Sequence, residues 1–97
     1  MPSKTRVTTM PGGERVILHR VGAEWRGISE AQHRVLAVHR EPSKISKLYG
    51  DQWTARTWPG VSIWDDEAGE LHRGEERPTI DSAVASLAIN HMPNRSE

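Results

Sequence analysis

Two runs constrain the fold more than anything else in the chain: residues 14–21 (ERVILHRV) and 33–40 (HRVLAVHR). Both are rich in Val, Ile and Leu, and both alternate as strands do. In the first, Val16, Leu18 and Arg20 share one side, and Ile17, His19 and Val21 the other. In the second, Val35 and Ala37 fall with His33 and His39, while Leu36 and Val38 fall with Arg34 and Arg40. Apolar side chains on both sides suit strands that are packed on both faces of a sheet.

Between these runs, Gly22-Ala23-Glu24 reads as a turn and residues 25–28 (WRGI) as a short return strand, with residues 29–32 as a second connection. Residues 51–66 (DQWTARTWPGVSIWDD) hold three of the four tryptophans in a chain that has no Phe. Pro59-Gly60 has the chemistry of a type II turn, with Pro fixing φ at the first central position and Gly supplying positive φ at the second. The flanking alternation predicts a hairpin, 52–58 against 61–65. Residues 65–76 (DDEAGELHRGEE) are expected to be a loop, or a turn followed by a short edge strand at 70–73.

Residues 79–92 form the clearest helix pattern. Thr79 is placed to cap it, Asp81 lies in its first turn, and Ile80, Ala83, Val84, Leu87 and His91 make an apolar stripe. Residues 43–49 (SKISKLY) predict one short additional helix, with Ser43 as its cap and Gly50 as its stop. The expected fold class is therefore α+β: a small antiparallel sheet of about four to six strands, packed by the C-terminal helix. The expected organisation is a flexible arm over 1–13, one domain over 14–92 and a polar tail over 93–97. A short echo links Gly22-x-x-Trp25 with Gly50-x-x-Trp53, too brief to define a repeat.

Composition bounds the function. The chain has 97 residues and no Cys, which removes disulfides, thiolate metal sites and cysteine nucleophiles. No secretory signal and no apolar run of membrane-spanning length is present, so a soluble, cytoplasmic protein is expected. The net charge is zero but unevenly spread. Residues 1–58 carry ten bases and five acids, and residues 59–97 three bases and eight acids. Opposed halves of this kind either neutralise each other within one domain or complement a second copy in a homodimer.

Catalytic and cofactor patterns are missing. The five histidines lack metal-ligand spacing: His33 and His39 are about 20 Å apart along one strand. Asp65, Asp66, Glu67 and Glu70 lack the alternate-position ligands of a calcium loop. No phosphate loop or serine elbow occurs. The expectation is a non-enzyme without metal or cofactor.

What remains is arginine interleaved with tryptophan on strands. That composition suits a binding module, a small regulator or inhibitor that docks a macromolecule, protein before nucleic acid. The expected partner-binding residues are Arg56, Trp58 and Trp64, with Asp65, Asp66 and Glu67 as an acidic rim. The alternative is a DNA-binding sheet face using Arg20, Arg34, Arg40 and Arg56. Gly50-x-x-Trp53-x-Ala55-Arg56 and the helix start Thr79…Ala83 resemble the arm-binding domains of tyrosine recombinases, which read DNA with a sheet. The acidic stretch 65–76 departs from the basic later strands of that family. Pro59-Gly60-Val61 with Thr79-x-x-x-Ala83 is similar to HicB-type antitoxins, with a long insertion between. Each likeness covers under half of the chain. Small regulators of this kind are what phages and mobile elements often encode.

Overall fold

The computed structural model describes residues 4–41 and 51–88. Its strands are β1 (Thr5–Thr9), β2 (Arg15–Val21), β3 (Glu24–Ser29), β4 (Arg34–Glu41), β5 (Gln52–Pro59) and β6 (His72–Arg73). They form one six-stranded antiparallel sheet in sequence order. A helix, α1 (Ile80–Ala85), follows and tightens into a 3-10 turn at Ser86–Ala88. The protein is a small α+β fold, as the periodicities predict. The expected helix over 43–49 lies outside the described residues, as do residues 89–92 of the C-terminal one.

Alternation divides the side chains into two layers. On the first face, Val16, Leu18, Trp25, Leu36, Val38 and Ala55 pack with Met10 against Ile80, Ala83, Val84 and Leu87 of the helical segment. On the second face, Val35, Ala37 and Trp58 form a smaller cluster with Ile28. Fully burying each of the larger side chains contributes about 1.5–3 kcal/mol. That matters for α1, because an isolated helix so short is unstable in water. Its start is fixed by a capping box: the Thr79 hydroxyl accepts from the Ser82 amide at 3.1 Å, and Ser82 Oγ accepts from the Thr79 amide at 3.2 Å.

Two glycines are there for space. A Cβ on Gly27 would lie 2.5 Å from the Ile17 carbonyl oxygen and 2.6 Å from Val16 Cγ1, so only Gly lets β3 approach β2 closely there. A Cβ on Gly74 would lie 2.4 Å from Ser86 Oγ. That hydroxyl accepts from the Glu75 amide at 2.9 Å and donates to the Ala83 carbonyl at 2.7 Å, joining the last connection to the helix.

The structure differs from the sequence reading in two elements. Within the segment expected as an arm, Thr5–Thr9 is a paired strand, with Val7 opposite Ile17 and Thr8 opposite Val16. Thr8 and Met10 are buried, and the Thr8 hydroxyl donates to Asp81 at 2.8 Å. The Gly12-Gly13 pair that reads as loose chain is the turn of the β1–β2 hairpin, closed by Met10 and Glu14 at 2.7 Å. The second difference is that 61–65 is no strand. Its amide groups bond locally, and such bonds compete with a ladder. The neighbour of β5 is instead β6, with Thr57 opposite His72 and Arg56 opposite Arg73. This is the edge strand expected within 70–73, reduced to two residues.

Candidate functional site

The second face of the sheet carries the most concentrated polar chemistry. By register, Glu24, His39 and Thr54 lie in one row across β3, β4 and β5, and Arg26, Ala37 and Arg56 in the next. Arg56 Nη2 donates to Glu24 Oε2 at 2.8 Å, and Arg56 Nε donates to Glu67. Arg26 Nε donates to the other Glu24 oxygen at 2.9 Å. Arg56 Nη1 also meets His39 Nδ1 at 3.1 Å. A guanidinium only donates, so Nδ1 is the acceptor and the ring proton sits on Nε2, where it reaches Glu41 at 2.7 Å. Burial pushes the Glu24 carboxyl up, but the hydrogen bonds and charges of Arg56 and Arg26 outweigh it and hold it below the usual range. Burial likewise pulls the Arg56 guanidinium down, and Glu67 and Glu24 overcome it and raise it.

Beneath these cations lies Trp58. Arg56 and Arg26 stand over its ring at 5.3 and 5.4 Å. The indole is fully buried, and Arg56 is only 8% exposed. Both are among the expected partner-binding residues, and in this structure both are buried. Alternation does put them on one face, but the chain after β5 folds back over it. Arg56 spends its donors on that internal network.

The returning loop, residues 60–67, is pinned at several points. The Gly60 amide donates to the His33 carbonyl at 2.9 Å, and Arg26 Nη1 donates to the Ile63 carbonyl at 2.9 Å. Glu67 holds Arg56. Asp65 Oδ2 accepts from the Val61 and Ser62 amides at 2.8 and 3.0 Å, while Ser62 Oγ accepts from the Trp64 amide at 3.1 Å. From this anchored backbone Val61 and Trp64 project outward, 73% and 71% exposed. Among the expected partner residues, then, Trp64, Asp66 and Glu67 are presented to solvent. Asp65 is the structural cap of the loop, and Glu67 pins it to Arg56. Val61 was missed because the hairpin reading turned it inward.

The four expected nucleic-acid arginines do not share one surface. Arg20, Arg34 and Arg40 lie on the helix-bearing face and Arg56 on the other. Arg34 donates to Thr57 Oγ1 at 3.2 Å, to the Thr57 carbonyl at 3.1 Å and to the Glu70 carbonyl at 2.5 Å. Arg20 and Arg40 do converge, on a concavity of about 280 Å3 that Trp25 and Trp53 also line. Arg20 stacks over Trp25 at 5.5 Å and Arg6 does so at 5.9 Å. Arg40 bonds Asp51 at 3.2 Å. Arg6 lies in the segment that the sequence marks as an arm, so its place beside Trp25 is not legible there.

Among the described residues no group of three or more His, Asp or Glu side chains is placed to hold a metal ion. No described helix is long and apolar enough to cross a membrane. No family model, curated protein or solved structure matches the chain.

Proposed function

We propose that this protein is a non-enzymatic binding module, a small regulator or inhibitor, that docks a protein partner through the loop at residues 60–67. The observation that carries this reading is an exposed Trp64 on a backbone already fixed by Asp65, Ser62, Arg26 and Arg56. Tryptophan is the side chain most enriched at binding hot spots, and a loop held in place before binding loses little entropy when it docks. Val61 extends the apolar contact, and Asp66 and Glu67 supply an acidic rim.

The test is affinity capture from the native host with wild-type protein and Trp64→Ala side by side. A protein retained by the wild type and lost from Trp64→Ala, with both variants equally folded, supports the reading. Equal retention by both overturns it.

A second reading has its own observation, the convergence of Arg20 and Arg40 with Trp25 and Trp53. Paired guanidinium groups beside aromatic rings suit phosphates and bases of a single-stranded nucleic acid. Titration of labelled single-stranded DNA against salt tests it. Binding with a steep salt slope that Arg20→Ala and Arg40→Ala both reduce favours it, and no binding at low salt removes it.

A further inference from the structure

The two sides of the sheet end differently. Along the β5 side, the chain from 72 to 77 covers the edge. β6 pairs there, the Gly74 amide donates to the Ala55 carbonyl at 2.8 Å, and Trp53 and Arg77 exchange backbone bonds at 2.7 and 2.9 Å. On the other side β1 pairs with β2 alone. Its outer row of N–H and C=O groups has no strand beside it among the described residues. Thr5–Thr9 contains no Pro and no acidic residue, its pairing with β2 runs through all five positions without a bulge, and Arg6 is its one charged side chain.

We propose that this edge is the seam of a homodimer, in which β1 of one copy pairs antiparallel with β1 of a second copy. The proposal goes beyond the docking loop and does not depend on it. The register follows from the pleat. If both helices are to lie on the same side of a continuous sheet, paired residues must share a face, so their numbers must sum to an even value. Centring the five-residue strand then puts Val7 opposite Val7 of the second copy, Thr5 opposite Thr9, and Arg6 opposite Thr8.

Three features fit that register. On the second face, Val7 is 53% exposed and its cross-strand neighbour Ile17 is 55% exposed. Pairing brings two such valines together on the symmetry axis, flanked by the two isoleucines, and covers apolar surface that the monomer leaves in water. On the helix-bearing face, Thr8 already donates to Asp81. Asp81 has no cationic partner among the described residues, and Arg6 has no anionic one. The register sets Arg6 of each copy beside Thr8, and so within reach of Asp81, of the other. That makes two equivalent ion pairs once Arg6 turns from Trp25. Finally, a groove of about 590 Å3 runs along β1, walled on its far side by Asp81, Ala85 and Ala88. Ala85 and Ala88 are exposed and small, and they leave room for the helix of the second copy beside α1.

The test is sedimentation equilibrium of the full chain from about 1 μM to about 1 mM, a span that brackets ordinary weak dimers. The expected result is a concentration-dependent rise to twice the chain mass. Val7→Lys puts like charges opposite each other on the axis and should weaken association about tenfold or more, with an unchanged circular-dichroism spectrum. Arg6→Asp and Asp81→Arg should each weaken it, and the double exchange should restore it, an outcome that a loss of monomer stability would not give. Trp64→Ala should leave it unchanged. A monomer at every concentration, or a dimer that Val7→Lys leaves intact, overturns the proposal.

Discussion

Arg56 reaches Glu24 at 2.8 Å, joining β5 to β3 across the intervening β4. The same guanidinium holds Glu67, so one cation on β5 ties together the sheet and the loop that presents Trp64. Removing that cation leaves Glu67 without its partner and Glu24 with Arg26 alone. Arg56→Met should therefore destabilise the fold by about 3 kcal/mol. Urea unfolding followed by circular dichroism measures it. A change within error of zero would mean that water replaces the guanidinium at no cost.

Glu24 gives this network a pH signature. Burial pushes its carboxyl up, but Arg56 and Arg26 hold it below the usual carboxylate range in the folded protein. The unfolded chain therefore takes up that proton first as pH falls. The stabilisation is complete above about pH 4.5 and is lost as pH drops through the lowered folded value. In Glu24→Gln, urea midpoints should change less between pH 6 and pH 3 than in the wild type. An identical pH slope in both would remove Glu24 as a source of acid sensitivity.

Asp65 holds the docking loop through two amides. Asp65→Ala should cost about 1–2 kcal/mol in stability, the scale of two exposed local hydrogen bonds to a charged acceptor. Its larger effect should be on amide exchange, with Val61 and Ser62 exchanging much faster by NMR while β4 amides keep their protection. Uniformly unchanged exchange would show that the loop is fixed from elsewhere.

Gly27 tests the close approach of β3 to β2. Gly27→Ala forces a methyl group into the Ile17 carbonyl and Val16, and should destabilise by about 2 kcal/mol. Thermal melting reads this directly. Thr79→Ala, which removes the helix cap, should cost about 1 kcal/mol and serves as a reference of known scale.

The sheet was legible where alternation was strong. Val16, Leu18, Leu36 and Val38 all lie on the helix-bearing face, and the Thr79 cap starts the helix. It failed where Gly and Pro carry two meanings. Gly12-Gly13 reads as a loose arm and is a hairpin turn, because the pairing of Val7 with Ile17 is a tertiary fact that a short Thr-rich run does not announce. Pro59-Gly60 reads as a hairpin turn and opens a returning loop, because Asp65 captures the amides that a second strand would have used. The candidate site divided in the same way. Period-two alternation groups Arg56 with Trp58 correctly, and says nothing about the loop that buries them. The exposure of Trp64 depends on a chain reversal that no local pattern encodes.

The most direct test of the docking account is photo-crosslinking in the native host, with a photoreactive phenylalanine analogue at position 64 and a control at exposed Glu30. The account predicts a discrete adduct with another protein from position 64 and none from position 30. No adduct at 64, or the same adducts from both positions, would contradict it.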